Sequence, residues 1–210
     1  RLTRGCLQVL AEFRNPVAVV TKNHLVTRDA DLLAELAARE AAVVYLSITT
    51  LDAALARQLE PRAALPSHRL DAVRQLTAAG VPVCVLVAPV IPGLNDEEIP
   101  AILEAAAAAG ATGASYTLLR LPHAVKEIFA AWLDAHLPER KSRILSRLEA
   151  VRRGKLNDSR FGSRMRGEGF WADQIERLFA LGMRRAGFTR RPLRLSTASF
   201  RRASGQLELF

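Results

Sequence analysis

Three residues could hold an anionic ligand group: Lys22 and Ser47, where apolar runs stop, and Arg62, further along the connection that follows the second of them. Arginine offers a carboxylate a two-pronged fork, lysine a point charge and serine a neutral donor. Other polar groups occupy equivalent places. Thr21 and Asn23 flank Lys22, Thr49 and Thr50 follow Ser47, and Glu60 precedes Arg62. Asn95 and Asp96 follow the longest apolar run, and Tyr116 and Arg120 belong to the last one. Taken singly, each reads as a solvent contact or a structural pair, as Glu60 with Arg62 would. As a set they read as the mouth of a ligand site, provided that the runs carrying them are parallel strands with converging carboxyl ends.

The chain has the pattern that such convergence requires. Val17-Ala-Val-Val20, Ala42 to Ile48 and Val81 to Ala88 are apolar runs that read as buried strands, the last apolar on both faces, and Thr112 to Leu119 reads as a fourth strand. Helical patterns alternate with them: 1–14, 29–40, about 52–59, 68–79 and 96–109. In the first, Leu2, Cys6, Val9, Leu10 and Phe13 form the apolar stripe. Asp29 reads as the cap of the second, with Leu32, Leu33 and Leu36 facing the sheet. Asn95-Asp96 reads as the cap of the fifth, after a turn stiffened by Pro89, Pro92 and Gly93. Strict alternation predicts an α/β fold with a parallel sheet and right-handed crossovers. A leading helix without a strand before it implies units further upstream.

Beyond Pro122 the texture changes to helices over 124–136, 139–153 and 170–186. The irregular, Arg- and Gly-rich run 155–169 lies between the last two. The expected organisation is a sheet-forming part over 1–122, a helical extension over 123–186 and a basic, flexible tail over 187–210.

Half of the 210 residues are hydrophobic, enough for a full core. No apolar run approaches the roughly 18 residues of a membrane span, so no membrane partner and a cytoplasmic location are expected. Residues 1–138 hold 12 Lys/Arg against 14 Asp/Glu, and residues 139–210 hold 18 against 7, so the net charge of +9 resides in the second part. That asymmetry points to a polyanion such as nucleic acid, reached through basic residues 139–202, or else to a solubilising surface. Cys6 and Cys84 match no metal-binding or disulfide spacing. His24, His68, His123 and His136 are too scattered for a catalytic triad, and HExxH, P-loop and GxGxxG motifs are absent.

Specific stretches nevertheless resemble one family. VTKN (20–23), LSITTLD (46–52), LEPR (59–62), VLVAPVIPGLND (85–96), YTLLRLP (116–122) and above all GKLNDSRFGSRMRGEG (154–169) are similar to radical S-adenosylmethionine proteins of the spore photoproduct lyase-related, DNA repair photolyase-like branch. The resemblance implies a partial (βα)6 barrel of TIM type, with about four βα units visible and the first two missing. It also implies a [4Fe–4S] cluster and S-adenosylmethionine, whose reductive cleavage yields a 5′-deoxyadenosyl radical that abstracts hydrogen. Carried over by position, Lys22 and Ser47 contact the methionine carboxylate or the ribose, and Arg62 the same anion. Val90 and Ile91, in the turn through Pro92 and Gly93, hold adenine by their backbone, and Tyr116 to Leu118 line the pocket.

The family's Cys-x3-Cys-x2-Cys loop is missing here, and Cys6 and Cys84 cannot replace it. The chain therefore reads as the carboxyl-terminal portion of such an enzyme, with no cluster expected on it alone. The final QLELF resembles a peptide that docks on the DNA sliding clamp, with Gln206, Leu207, Leu209 and Phe210 as the contacts. A non-catalytic nucleic-acid or clamp-binding module is the alternative. An ordinary barrel aldolase would need more strands and a phosphate loop.

Overall fold

The computed structural model describes residues 1–188 and 194–202. Its sheet has four parallel strands in the order β1 (Val17–Thr21), β2 (Ala42–Ser47), β3 (Val83–Val90) and β4 (Gly113–Leu118). The helices α1 (Leu2–Glu12), α2 (Ala30–Ala37), α3 (Ala53–Leu59), α4 (Pro66–Ala78) and α5 (Ile99–Ala108) alternate with the strands. This is an α/β architecture consistent with a partial TIM-like barrel.

Packing follows the side-chain periodicity. Val44, Leu46 and Ile48, with Val83, Val85 and Val87, enter the main core with Leu33 and Leu36 of α2, Val73 and Leu76 of α4, and Ile102 and Leu103 of α5. Central strands are covered on both faces. Edge strand β1 is not: its burial alternates and Val20 is 64% exposed, against the expectation of a wholly buried run. On α1 the stripe also differs. Leu7 and Ala11 are buried while Leu2, Cys6 and Val9 face solvent. Apolar positions at helical spacing offered two neighbouring faces, and packing against α2 selected one.

The expected caps at Asp29 and Asn95 do not form. Asp29 is buried and engages Arg28 Nε (2.9 Å), Arg28 Nη2 (2.6 Å) and Arg4 Nη1 (3.3 Å) instead of the helix amides. Asp52 does cap α3, accepting from Ala54 N at 2.7 Å. Register shifts between Val87 and Val90, so β3 continues beyond Pro89, which occupies the irregularity.

The helical extension packs into this core rather than standing apart. Helices α6 (Val125–His136) and α7 (Pro138–Ala150) bury Phe129, Leu133, Ile144 and Leu148 against Ile91, Leu94 and Leu121. After the single turn α8 (Ser163–Arg166), α9 (Phe170–Arg185) adds Ile175 and Met183 to the main core. Gly182 lets α9 approach α5 closely, since a β-carbon there would stand 2.7 Å from Leu103 Cδ1.

Part of the tail expected to be flexible is tied down. Ser196 N donates to Glu40 O (2.9 Å), and Arg201 donates from N to Phe13 O (3.0 Å) and from Nε to Glu12 O (2.7 Å). No helix among the described residues is long and apolar enough to cross a membrane.

Candidate functional site

The carboxyl ends of β1 and β2 open into a cavity of about 470 Å³ lined by Lys22, Asn23, Glu60, Pro61, Arg62 and Ala63. Two of the expected anion contacts, Lys22 and Arg62, therefore share one wall. Glu60 does not pair with Arg62. It forms an ion pair with Lys22 through Oε1 and with Arg69 Nη2 through Oε2 at 2.6 Å, and Thr49 Oγ1 lies 3.0 Å from Oε1. Burial pushes the Glu60 carboxyl up, but the bonds from Lys22 and Arg69 outweigh it and leave its pKa below the ordinary glutamate value.

Arg69 is the residue that sequence reasoning missed. It is fully buried on α4, donating to Ala64 O (2.7 Å), Ser47 O (2.9 Å) and Glu60. A signal existed: Arg69 falls on the same helical stripe as Ala72, Val73 and Leu76, where an arginine must find an internal partner. Ser47 itself is buried at the end of β2, where its carbonyl anchors Arg69. Arg62 is exposed at the cavity wall.

The loops behind this cavity are stapled together by three polar side chains. Asn95 Oδ1 accepts from Ile91 N (2.7 Å), and its Nδ2 donates to Thr49 O (2.7 Å) and Pro89 O (3.0 Å). Asp96 accepts from Gly93 N at 2.8 Å, and Glu98 accepts from Thr50 Oγ1 (2.6 Å) and Leu51 N (2.7 Å). The chain leaving β2 is thus fixed to the chain leaving β3.

These bonds occupy the turn to which the resemblance assigned adenine. Val90 and Ile91 are buried, Val90 O already accepts from Leu119 N, and the amides of Ile91 and Gly93 are engaged internally. Pro92 has no amide proton, so this turn presents no open N–H edge. Tyr116 and Leu118 likewise lie elsewhere. Both belong to the helix-facing core, with the Tyr116 ring 4.8 Å from Phe179 and the Arg166 guanidinium 4.0 Å above it. The alternation of β4 turns these side chains away from the Lys22 cavity.

Some of the basic residues after 138 serve the protein's own structure. Arg140 and Arg143 donate to Gly93 O at 2.8 and 3.3 Å, and Arg147 packs 3.9 Å above the Trp171 ring. Gln206, Leu207, Leu209 and Phe210 lie outside the described residues.

Comparison with known proteins places a radical SAM superfamily domain over residues 4–106. An uncharacterized protein of Mycobacterium tuberculosis is 36% identical over 155 residues, covering 73% of this chain and 45% of its own length. An uncharacterized protein of Methanocaldococcus jannaschii is 32% identical over 98 residues, covering 47% of this chain and 36% of its own. An uncharacterized protein of Acidianus two-tailed virus is 39% identical over 74 residues, covering 35% and 24%. The chain spans about half the length, or less, of the curated relatives it matches. No solved structure matches it.

The superfamily generally uses S-adenosylmethionine and a [4Fe–4S] cluster. Among the described residues no three His, Cys, Asp or Glu side chains are grouped to hold a metal, and Cys6 and Cys84 stand apart on α1 and β3. These residues do not fit the cluster. The Lys22–Glu60–Arg62 wall sets both signs of charge beside one cavity.

Proposed function

We propose that this chain is the cofactor-orienting part of a radical S-adenosylmethionine enzyme. The observation that carries this reading is the juxtaposition of Glu60 with Lys22 and Arg62 on one cavity wall at the ends of β1 and β2. An amino-acid head group carries one ammonium and one carboxylate. Arg62 suits the carboxylate as a planar fork, and Glu60 suits the ammonium. Lys22, bonded to Glu60, keeps that carboxylate ionised and adds a second cation for the anion. Arg69 and Thr49 fix Glu60 from behind, so the acceptor is oriented before the ligand arrives. When bound, S-adenosylmethionine supplies the 5′-deoxyadenosyl group for hydrogen-atom abstraction. The part played by these residues is binding and orientation. The excess of 18 Lys/Arg over 7 Asp/Glu beyond residue 138 supports an anionic substrate, with nucleic acid the leading class.

Isothermal titration calorimetry with S-adenosylmethionine tests this. Binding is expected, with Arg62→Ala weakening it roughly tenfold, as the loss of a charged hydrogen bond does. Absence of binding, or affinity indifferent to Arg62→Ala and Lys22→Ala, overturns the reading and leaves a non-catalytic nucleic-acid-binding module as the better one.

A further inference from the structure

The carboxyl end of β4 carries a second cavity, with different chemistry. Arg152, just beyond α7, is 1% exposed. Its Nη1 donates to Arg164 O (2.7 Å) and Ser163 O (3.2 Å), and its Nη2 to Leu119 O (2.9 Å). All these partners are neutral carbonyls. Among the described residues no carboxylate lies in ion-pair range of Arg152, and its Nε, shielded from solvent, has no partner. A buried cation held only by neutral groups carries a large desolvation cost, which a bound anion offsets.

Arg152 lines a cavity of about 340 Å³ together with Arg153, Lys155, Asn157, Asp158, Ser159 and Arg160. The local acids are already taken. Asp158 accepts from Arg160 Nη2 (2.7 Å) and Ser163 Oγ (2.9 Å), while Glu168 pairs with Arg153 and Arg160. Four cations therefore face two carboxylates, which leaves positive charge at the cavity. Asn157 Oδ1 is a second buried atom without a partner, an acceptor beside the cations. Next to Arg160, the Phe161 ring is 90% exposed with the Arg164 guanidinium 4.8 Å from its centre. An aromatic ring left in water beside a cationic pocket has the properties of a base-stacking platform.

We infer that this cavity binds the phosphate of a nucleotide whose base stacks on Phe161. The exposed Lys155 and Ser159 supply the donors for the phosphate, and Arg152 contributes its uncompensated buried charge from behind them. The site lies at the end of β4 and the Lys22 cavity at the end of β1, on the same rim of the sheet. Three strand intervals separate those ends, about 14 Å. That the nucleotide is the substrate rests on the radical S-adenosylmethionine reading; the binding site itself does not.

Fluorescence anisotropy with a labelled oligothymidine of about ten nucleotides measures the site. The full chain, Lys155→Ala and Phe161→Ala are compared, both positions being exposed and both variants checked for unchanged melting. Each variant is expected to bind roughly tenfold more weakly. Lys155→Ala also lowers the slope of log affinity against log salt by about one, whereas Phe161→Ala leaves that slope in place. Competition by thymidine monophosphate identifies a mononucleotide site; binding of the oligonucleotide alone identifies a strand site. Absence of binding, wild-type affinity in both variants, or competition by inorganic phosphate equal to that by the nucleotide overturns the inference. Calorimetry with S-adenosylmethionine on the same samples separates the two readings, because nucleotide binding without cofactor binding removes the cofactor reading alone.

Discussion

Arg69 Nη2 lies 2.6 Å from Glu60 Oε2, with the arginine buried on α4 and the carboxylate at the edge of the cavity. The same carboxylate holds Lys22, so one buried ion pair connects the sheet to the ligand wall. Glu60→Gln removes the negative charge and leaves Arg69 without a counter-charge. It is expected to destabilise the fold by about 3 kcal/mol, measured as a lower urea midpoint with unchanged slope.

The pH dependence follows from the same group. Because the folded pKa of Glu60 lies below its ordinary value of 4.5, the pair contributes fully above that value. Its contribution is lost as pH falls through the folded pKa. Urea midpoints of the native chain should therefore fall more steeply than those of Glu60→Gln as pH is lowered below 4.5. Parallel curves would show that another carboxylate governs acid unfolding.

Asn95 joins the ends of β2 and β3 through three bonds. Asn95→Ala leaves Ile91 N and the carbonyls of Thr49 and Pro89 unsatisfied in a buried turn, at a cost of about 3 kcal/mol. Asn95→Asp should be worse above the carboxyl pKa, since it places a charge against two carbonyls. Denaturant midpoints of both variants at neutral pH give the comparison.

Gly167 adopts φ +72°, and a β-carbon there would stand 2.7 Å from Leu118 Cδ1 and 3.0 Å from Val151 O. Gly167→Ala combines backbone strain with that clash and should cost about 2 kcal/mol. Faster hydrogen exchange in residues 152–168 should accompany the loss, because this turn fixes α8 against β4.

Arg201 donates to the carbonyls of Glu12 and Phe13 at the end of α1. Arg201→Ala should lower stability by only about 1 kcal/mol, as it removes an exposed helix-end contact. Limited proteolysis is the sharper measurement, with cleavage around residues 194–202 expected to accelerate while the sheet stays protected.

Much of the fold was legible because it depends on local pattern. The four runs read as strands became β1 to β4 in chain order, with helices alternating between them as the pattern required. The site was legible in part. Lys22, directly after β1, and Arg62, in the turn after α3, do meet at one cavity. Arg69, forty-seven positions from Lys22, was overlooked because an arginine within a helix normally reaches solvent. Tyr116 packs among the helices and not at the Lys22 cavity, and nothing in Gly113-Ala-Ser-Tyr-Thr-Leu118 reveals which alternate set faces the helices.

The sequence by itself determined the βα alternation, the strand-end positions of the polar residues and the excess of cations beyond residue 138. These depend on neighbours along the chain, on side-chain periodicity and on composition. Only the tertiary structure decided which charges pair, which turn amides are already bonded and which cation, Arg152, is buried among neutral carbonyls. Such pairings join residues 22 to 46 positions apart, as with Ser47 to Arg69, Lys22 to Glu60 and Thr49 to Asn95. Electrostatic and hydrogen-bond energies depend on distance through space, and at those separations only packing sets that distance.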